Sequence, residues 1–250
     1  MIQMTRQKNG QTLDKQIHFV LQGKGGVGKS VVASLLAQYL REHGELCCID
    51  TDPINPTFAK YKDLKVEHLN LLSSPNRINE RIFDELIESI LSSDKNFIID
   101  NGAGGFLSIS NYIIENEIIN VLAGYDVFIH VPLTGGQAFK ETAKGLISIA
   151  NQFDEKIKIV IWINEYFGKL GKDIETFGFY KDIRDRIFAK IIIPEQSIDT
   201  FGEDIKMMFT ENKTFNEVAC DDALKFMVKR RLNLFKEQMF VQFEEVALCG

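Results

Sequence analysis

Along this chain, short unbroken apolar runs take turns with segments whose apolar positions recur every third and fourth residue. Runs at residues 17–21, 46–49, 97–99, 127–132, 159–163 and 190–193 lack the in–out alternation of a half-exposed strand. They predict strands buried on both faces, as in a parallel sheet covered by helices. Residues 70–72 predict one further short strand. Helical spacing covers 29–41, where Val32, Leu35, Leu36, Ala37 and Leu40 share a face, and 79–91, where Ile82, Phe83, Leu86, Ile87 and Ile90 do. Further helices are predicted at 108–115, 137–152 and 179–188. Residues 221–248 read as one long amphipathic helix carrying Leu224, Val228, Leu232, Phe235, Met239 and Phe243, whose simplest task is to cover the sheet. Strands alternating with helices predict an α/β fold: a doubly wound, mainly parallel sheet with ligands at the carboxyl ends of its strands.

Composition narrows this little. The chain has 250 residues, 45% hydrophobic and 26% charged, ordinary values for a globular protein. With 5 prolines and no linker-like tract, the expectation is a polar extension over 1–16 and a single domain over 17–250. The start has no apolar core of a secretory signal. The most apolar stretch, 118–133, is broken by Asn120, Asp126 and His130 and is too short to span a bilayer. Cys47, Cys48, Cys220 and Cys249 lack metal-site spacing; adjacent cysteines on a strand point to opposite faces. The expected setting is the reducing cytoplasm. A net charge of -6 argues against a coat for nucleic acid while leaving room for a local basic patch. His18, His43, His68 and His130 have no partner at ligand spacing and read as structural or surface residues.

The chemistry begins between the first strand and first helix. Gly23-Lys24-Gly25-Gly26-Val27-Gly28-Lys29-Ser30 meets the phosphate-binding P-loop pattern at every fixed position. Glycines bring backbone N–H groups close to phosphate oxygens, where a Cβ would intrude. Lys29 supplies a positive charge to the β- and γ-phosphates and Ser30 a hydroxyl to Mg²⁺, while the helix aims its positive end at the same anions. The expected cofactors are therefore ATP and Mg²⁺. Nucleotide contact is assigned to Gly23, Lys24, Gly25, Gly26, Val27, Gly28, Lys29, Ser30 and Val31. Asp100, closing the apolar run 97–99, is a Walker B acid that holds Mg²⁺ through water. The Asn101-Gly102-Ala103-Gly104-Gly105 segment after it is rich in glycines that permit movement. Asp50 and Asp52 end the second strand, where they are either part of a metal-bound triphosphate site or an ordinary Asp/Pro turn.

Lys24 inside the loop makes it resemble the deviant Walker A motif of the ParA/MinD superfamily of ATPases. That resemblance implies a homodimer in which Lys24 reaches the partner's phosphates; a lysine that only adds positive potential to its own subunit remains the other reading. The segment Asp50-Thr51-Asp52-Pro53 is similar to the family's, which implies that Asp52 orients the attacking water and that Asp50 lies near the Mg²⁺ shell. Asn164, at a strand end, resembles the residue the superfamily sets against adenine; capping the next turn is the alternative. Ile192-Ile193-Pro194-Glu195 and Thr200-Phe201-Gly202 resemble the last strand and base-flanking loop, which places Pro194 at the nucleotide. The prolines that partition ATPases carry after the Walker B acid are missing here.

Residues 18–30, 50–58, Asp100-Asn101-Gly102-Ala103, Leu133-Thr134-Gly135-Gly136-Gln137 and 162–168 resemble TraL-type conjugal transfer proteins, over roughly residues 17–215. This implies an ATPase working with conjugal transfer or mobilisation proteins. A partition or positioning ATPase, a non-hydrolysing nucleotide-dependent module and a small-molecule kinase stand as alternatives. The Thr134 loop reads as an anion or partner site, or as a turn capped by Thr134. Lys225, Lys229, Arg230, Arg231 and Lys236 read as a DNA-contacting patch or a solvated helix face. The 19 phenylalanines read as core, with some able to line an interface.

Overall fold

The computed structural model describes residues 15–74, 77–197 and 199–248. The 1–16 extension, apart from its last two residues, and Cys249 lie outside them. In chain order the elements are β1 (Lys15–Val20), α1 (Lys29–Leu40), β2 (Leu46–Asp50), β3 (Glu67–His68), β4 (Leu72–Ser74), β5 (Arg77–Ile78), α2 (Arg81–Leu91) and β6 (Asn96–Asp100). There follow α3 (Phe106–Glu115), α4 (Ile118–Val121), β7 (Tyr125–Thr134), α5 (Phe139–Gln152), β8 (Lys158–Asn164), α6 (Gly178–Ile183), β9 (Ile187–Ile193), α7 (Phe201–Thr210), α8 (Phe215–Cys220) and α9 (Phe226–Glu245).

Seven strands form one sheet in the order β3-β2-β6-β1-β7-β8-β9, every pairing parallel. The chain enters at the centre, fills one half through β2 and β6, then crosses β1 to fill the other through β7, β8 and β9. That reversal opens a crevice at the carboxyl end of β1, the place where such sheets bind ligands. Side-chain alternation along β1 builds two cores. Ile17, Phe19 and Leu21 meet α2, α3 and α5 on one face. Val20, with Ile98, Phe128, Val160 and Trp162 from neighbouring strands, meets α1 and α9 on the other.

A polar row crosses that second core. The indole of Trp162 donates to Nδ1 of His130 at 2.9 Å. His130 Nε2 lies 2.9 Å from His18 Nδ1, and His18 Nε2 lies 3.2 Å from Gln16 Oε1. An indole N–H only donates, so both imidazoles must be neutral with the proton on Nε2, and each link of the row is then satisfied. Both rings are fully buried. Burial holds His18 down to about 3, with Lys158 adding to the effect, and holds His130 well below its ordinary value.

The long tail helix does cover the sheet, with Leu232, Phe235, Met239 and Phe243 buried on its inner face. It also reaches the open side of the edge strand β9. Gln242 accepts from Ile192 N–H at 2.8 Å and donates to Ile192 carbonyl at 3.0 Å, as a neighbouring strand would.

Three expectations change. The short strand expected at 70–72 is not in the central sheet: the strand beside β2 is β3, where Glu67 and His68 align with Ile49 and Asp50. Leu72–Ser74 instead pairs antiparallel with Arg77–Ile78 in a separate small sheet. The helix expected over 179–188 stops at Ile183, and Phe188 belongs to β9, packed edge-on against Phe128. The tail is not one helix from 221: α8 ends at Cys220, Asp221 accepts from Ala223 N–H in a local turn, and α9 starts after an extended Lys225. Asp favours such turns because its carboxylate competes for nearby N–H groups. Among the described residues, no helix is long and apolar enough to cross a membrane.

Candidate functional site

The loop from β1 to α1 turns through Gly26 (φ 72°) and Gly28 (φ 93°), left-handed positions that suit glycine. Gly28 caps α1 with backbone only, and the first turn of α1 carries no acid. The N–H groups and dipole at this end therefore keep their attraction for an external anion. Lys29 is buried, and its ammonium donates to Lys24 carbonyl at 3.1 Å, folding back over the loop. Burial lowers its pKa while Asp100 and Asp52 oppose the shift.

Ser30 and Asp100 come together: the hydroxyl donates to Asp100 Oδ2 at 2.6 Å. Burial pushes Asp100 up to about 7, opposed by the Ser30 bond and reinforced by Asp50. Its other oxygen, Oδ1, is buried with no hydrogen-bond partner. A carboxylate left with an orphaned oxygen beside a serine and a lysine suits a hydrated divalent cation, which would supply the missing charge. Among the described residues no three Asp, Glu, His or Cys side chains cluster to hold a metal.

Asp50 and Asp52 sit in the same crevice, each also bound to a turn. Asp50 is fully buried and accepts from Asp52 N–H and Ala59 N–H, both at 2.9 Å, one on each oxygen. Burial raises its pKa and those two bonds resist the rise. Oδ1 of Asp52 accepts from Ile54 N–H at 2.9 Å and Asn55 N–H at 3.0 Å. Its Oδ2 lies against Gly102, where an added Cβ would fall 2.7 Å from Oδ2 and 2.5 Å from Cγ. Gly102 has an ordinary φ of -60°, so close packing, not conformational freedom, is what demands glycine there. Asn101 is buried and held by Thr51 Oγ1 at 3.0 Å and by its own bond to Gly102 carbonyl. Thr51 and Asn101 escaped the sequence reading because their work is to lock two strand ends together.

Lys24 forms an ion pair with Glu141 of α5, 2.6 Å, both partly exposed. Toward α7 a cavity of about 550 Å³ is lined by Val31, Asn164, Tyr166, Pro194, Gly202 and Phe235, among others. It gathers three residues expected at the nucleotide (Val31, Asn164 and Pro194) beside the start of α1. Asn164 itself caps: its carbonyl accepts from Tyr166 N–H at 3.2 Å, and its amide donates to Val27 carbonyl at 3.1 Å, tying β8 to the phosphate loop.

Two other motifs settle differently. Thr134 does not cap a helix; α5 begins after Ala138, without a side-chain cap. Gly135 is needed because a Cβ would fall 2.3 Å from Lys169 carbonyl and 2.4 Å from Gly168 carbonyl. The basic run does not form a common patch. Lys229 binds Ala219 carbonyl, Arg231 binds Asp204 and Lys236 binds Glu42.

A strand, a glycine loop and a buried helix, with lysine, serine and strand-end acid in contact, define a P-loop nucleotide-binding protein. The chain belongs to the CobQ/CobB/MinD/ParA nucleotide binding domain family, whose model matches residues 18–208. It is 41% identical over 239 residues to the Escherichia coli protein TraL, covering 93% of this chain and 99% of that one. A second Escherichia coli TraL is 39% identical over the same coverage. Among solved structures it is similar to the MinD cell division protein of Aquifex aeolicus, at 13% identity and TM-score 0.48 over 90% of this chain and 97% of that one. A plasmid partition protein of Borrelia burgdorferi is similar at 15% identity and TM-score 0.47, over 79% and 97%.

Proposed function

We propose that the chain is a Mg²⁺-dependent ATPase of conjugal plasmid transfer, working in the cytoplasm as a homodimer with nucleotide at the subunit interface. The observation that carries the ATPase reading is the Ser30–Asp100 contact beside Lys29, with Asp100 Oδ1 buried and unpartnered. The transfer reading rests on similarity to TraL along most of the chain.

Gly25, Gly26, Val27 and Gly28 would present N–H groups to the phosphates, and Lys29 would swing from Lys24 carbonyl to the β- and γ-phosphates. Ser30 and, through water, Asp100 would hold Mg²⁺, with Asp50 behind them; the ion would supply positive charge against the negative charge of the phosphates. Asp52, its free edge facing Gly102, would accept a hydrogen bond from the attacking water. Val31 and Pro194 would flank the base, with Asn164 shaping that wall from behind. Lys24 would leave Glu141 for the partner's phosphate, and breaking an exposed pair costs no more than about 1 kcal/mol.

Fluorescent ATP analogue should bind micromolar protein with Mg²⁺, and single-turnover hydrolysis should vanish in Asp52→Ala while binding persists. Absence of binding removes the reading altogether. Binding with wild-type hydrolysis no faster than Asp52→Ala leaves a nucleotide-dependent binding module in its place.

A further inference from the structure

The outer face of α9 carries a stripe with no partner in the fold. Met227, Leu234 and Val241 are 55%, 37% and 50% exposed, and they stand at heptad spacing. On a helix that spacing returns to nearly the same side, drifting by only about 20°, so the three form one apolar seam. Arg230 and Glu237 follow the same seven-residue step and flank the seam on one side. Unlike its basic neighbours, Arg230 makes no hydrogen bond or ion pair among the described residues. Among the described residues, the hydrogen bond to Glu237 comes from Asn233 of its own helix.

The flank charges choose the occupant. Glu237, Glu244 and Glu245 outnumber Arg230 on this exposed side, which disfavours an anionic membrane or nucleic acid. A second copy laid antiparallel matches instead. With a two-fold axis beside Leu234, Leu234 meets its own copy, Met227 meets Val241, and Arg230 comes beside Glu237, twice by symmetry. Parallel pairing would set Arg230 on Arg230 and Glu237 on Glu237. We propose that this face joins two copies of the chain, α9 against α9, antiparallel.

One helix pair is a small interface, so the contact is weak by itself and independent of nucleotide. If the ATP-bound dimer forms through the phosphate loop, each subunit has two faces for its own kind, and larger assemblies become possible.

The test uses the full chain without nucleotide, in EDTA, by sedimentation velocity over a concentration series. Wild type should self-associate at about 10–100 μM, as small interfaces do. Arg230→Glu and Glu237→Arg should each weaken it about tenfold, two exposed pairs being lost at once. The double exchange should restore it to within about threefold, and Leu234→Asp should leave monomers. Circular dichroism and Mg²⁺–nucleotide binding should be unchanged in all variants, which separates this result from failure of the ATPase reading. Monomeric wild type at every concentration, a double exchange that fails to restore, or salt-sensitive retention on anionic vesicles or DNA in place of self-association would overturn the proposal.

Discussion

Lowering the pH should destabilise this protein through His18 and His130, and the size of the effect follows from their burial. In the native chain both rings are neutral, His18 held to about 3 and His130 well below its ordinary value. In the unfolded chain both return to about 6.5. Below that value the unfolded chain takes up two protons that the native one refuses, so stability present above pH 6.5 is lost as pH falls toward the native values. The slope is about 1.4 kcal/mol per pH unit for each ring. Asp100 works in the opposite sense: raised to about 7, it keeps a proton in the native state that the unfolded chain has released, and Asp50 is shifted the same way. The rings are therefore isolated by comparing wild type with His18→Leu. Between pH 6 and 4.5 the variant's stability should depend on pH less steeply by about 1.4 kcal/mol per unit. At pH 7.5 it should be less stable by about 1–3 kcal/mol, because His130 Nε2–H loses its acceptor. Urea unfolding followed by the single tryptophan, Trp162, reports from within the row itself. Parallel pH dependences for the two proteins, or a ring that titrates near 6.5 in nitrogen NMR of the folded state, would refute the reasoning.

Gly102→Ala should slow ATP hydrolysis about tenfold or more by displacing Asp52, with nucleotide affinity nearly unchanged in a fluorescence titration. Lys24→Ala should weaken ATP-dependent dimers measured by light scattering. Glu141→Ala should let them form at lower protein concentration, while changing unfolding free energy by less than about 1 kcal/mol. Gln242→Leu should cost about 1–3 kcal/mol in urea unfolding, since it strands two backbone groups of Ile192.

The strands of the central sheet were legible because burial on both faces leaves an unbroken apolar signature, as in residues 97–99 and 159–163. The phosphate loop was legible because its glycines and lysine answer to one chemical demand at fixed spacing. β3 was not, because Glu67 and His68 are exposed and join the sheet by backbone pairing, which leaves no mark on side-chain choice. α8 did carry a signal: Thr214 and Glu217 form a reciprocal capping box, a pattern readable from residue types alone. Phe201, Ile205 and Met208 likewise had helical spacing that a loop reading of 200–202 obscured. The Lys24–Glu141 pair and the grip of Asn164 on Val27 were out of reach, since each joins residues more than a hundred positions apart. The proximity of Asp52 to Gly102 belongs to the same kind: the residues were legible, their contact was not.

Gln242 gives the fold one property that the nucleotide site does not touch. A parallel sheet has two rims where unpaired amides could recruit strands from other molecules and seed irreversible aggregates. Here one rim is the two-residue β3, too short to template anything, and the other has its Ile192 amide and carbonyl already taken by Gln242. At that point of β9 a strand from another copy finds no free amide, so contacts through helices and loops, which come apart again, are favoured over strand pairing. For a protein proposed to assemble and disassemble with each nucleotide it consumes, a side-chain amide on the last helix separates a reversible cluster from a fibre.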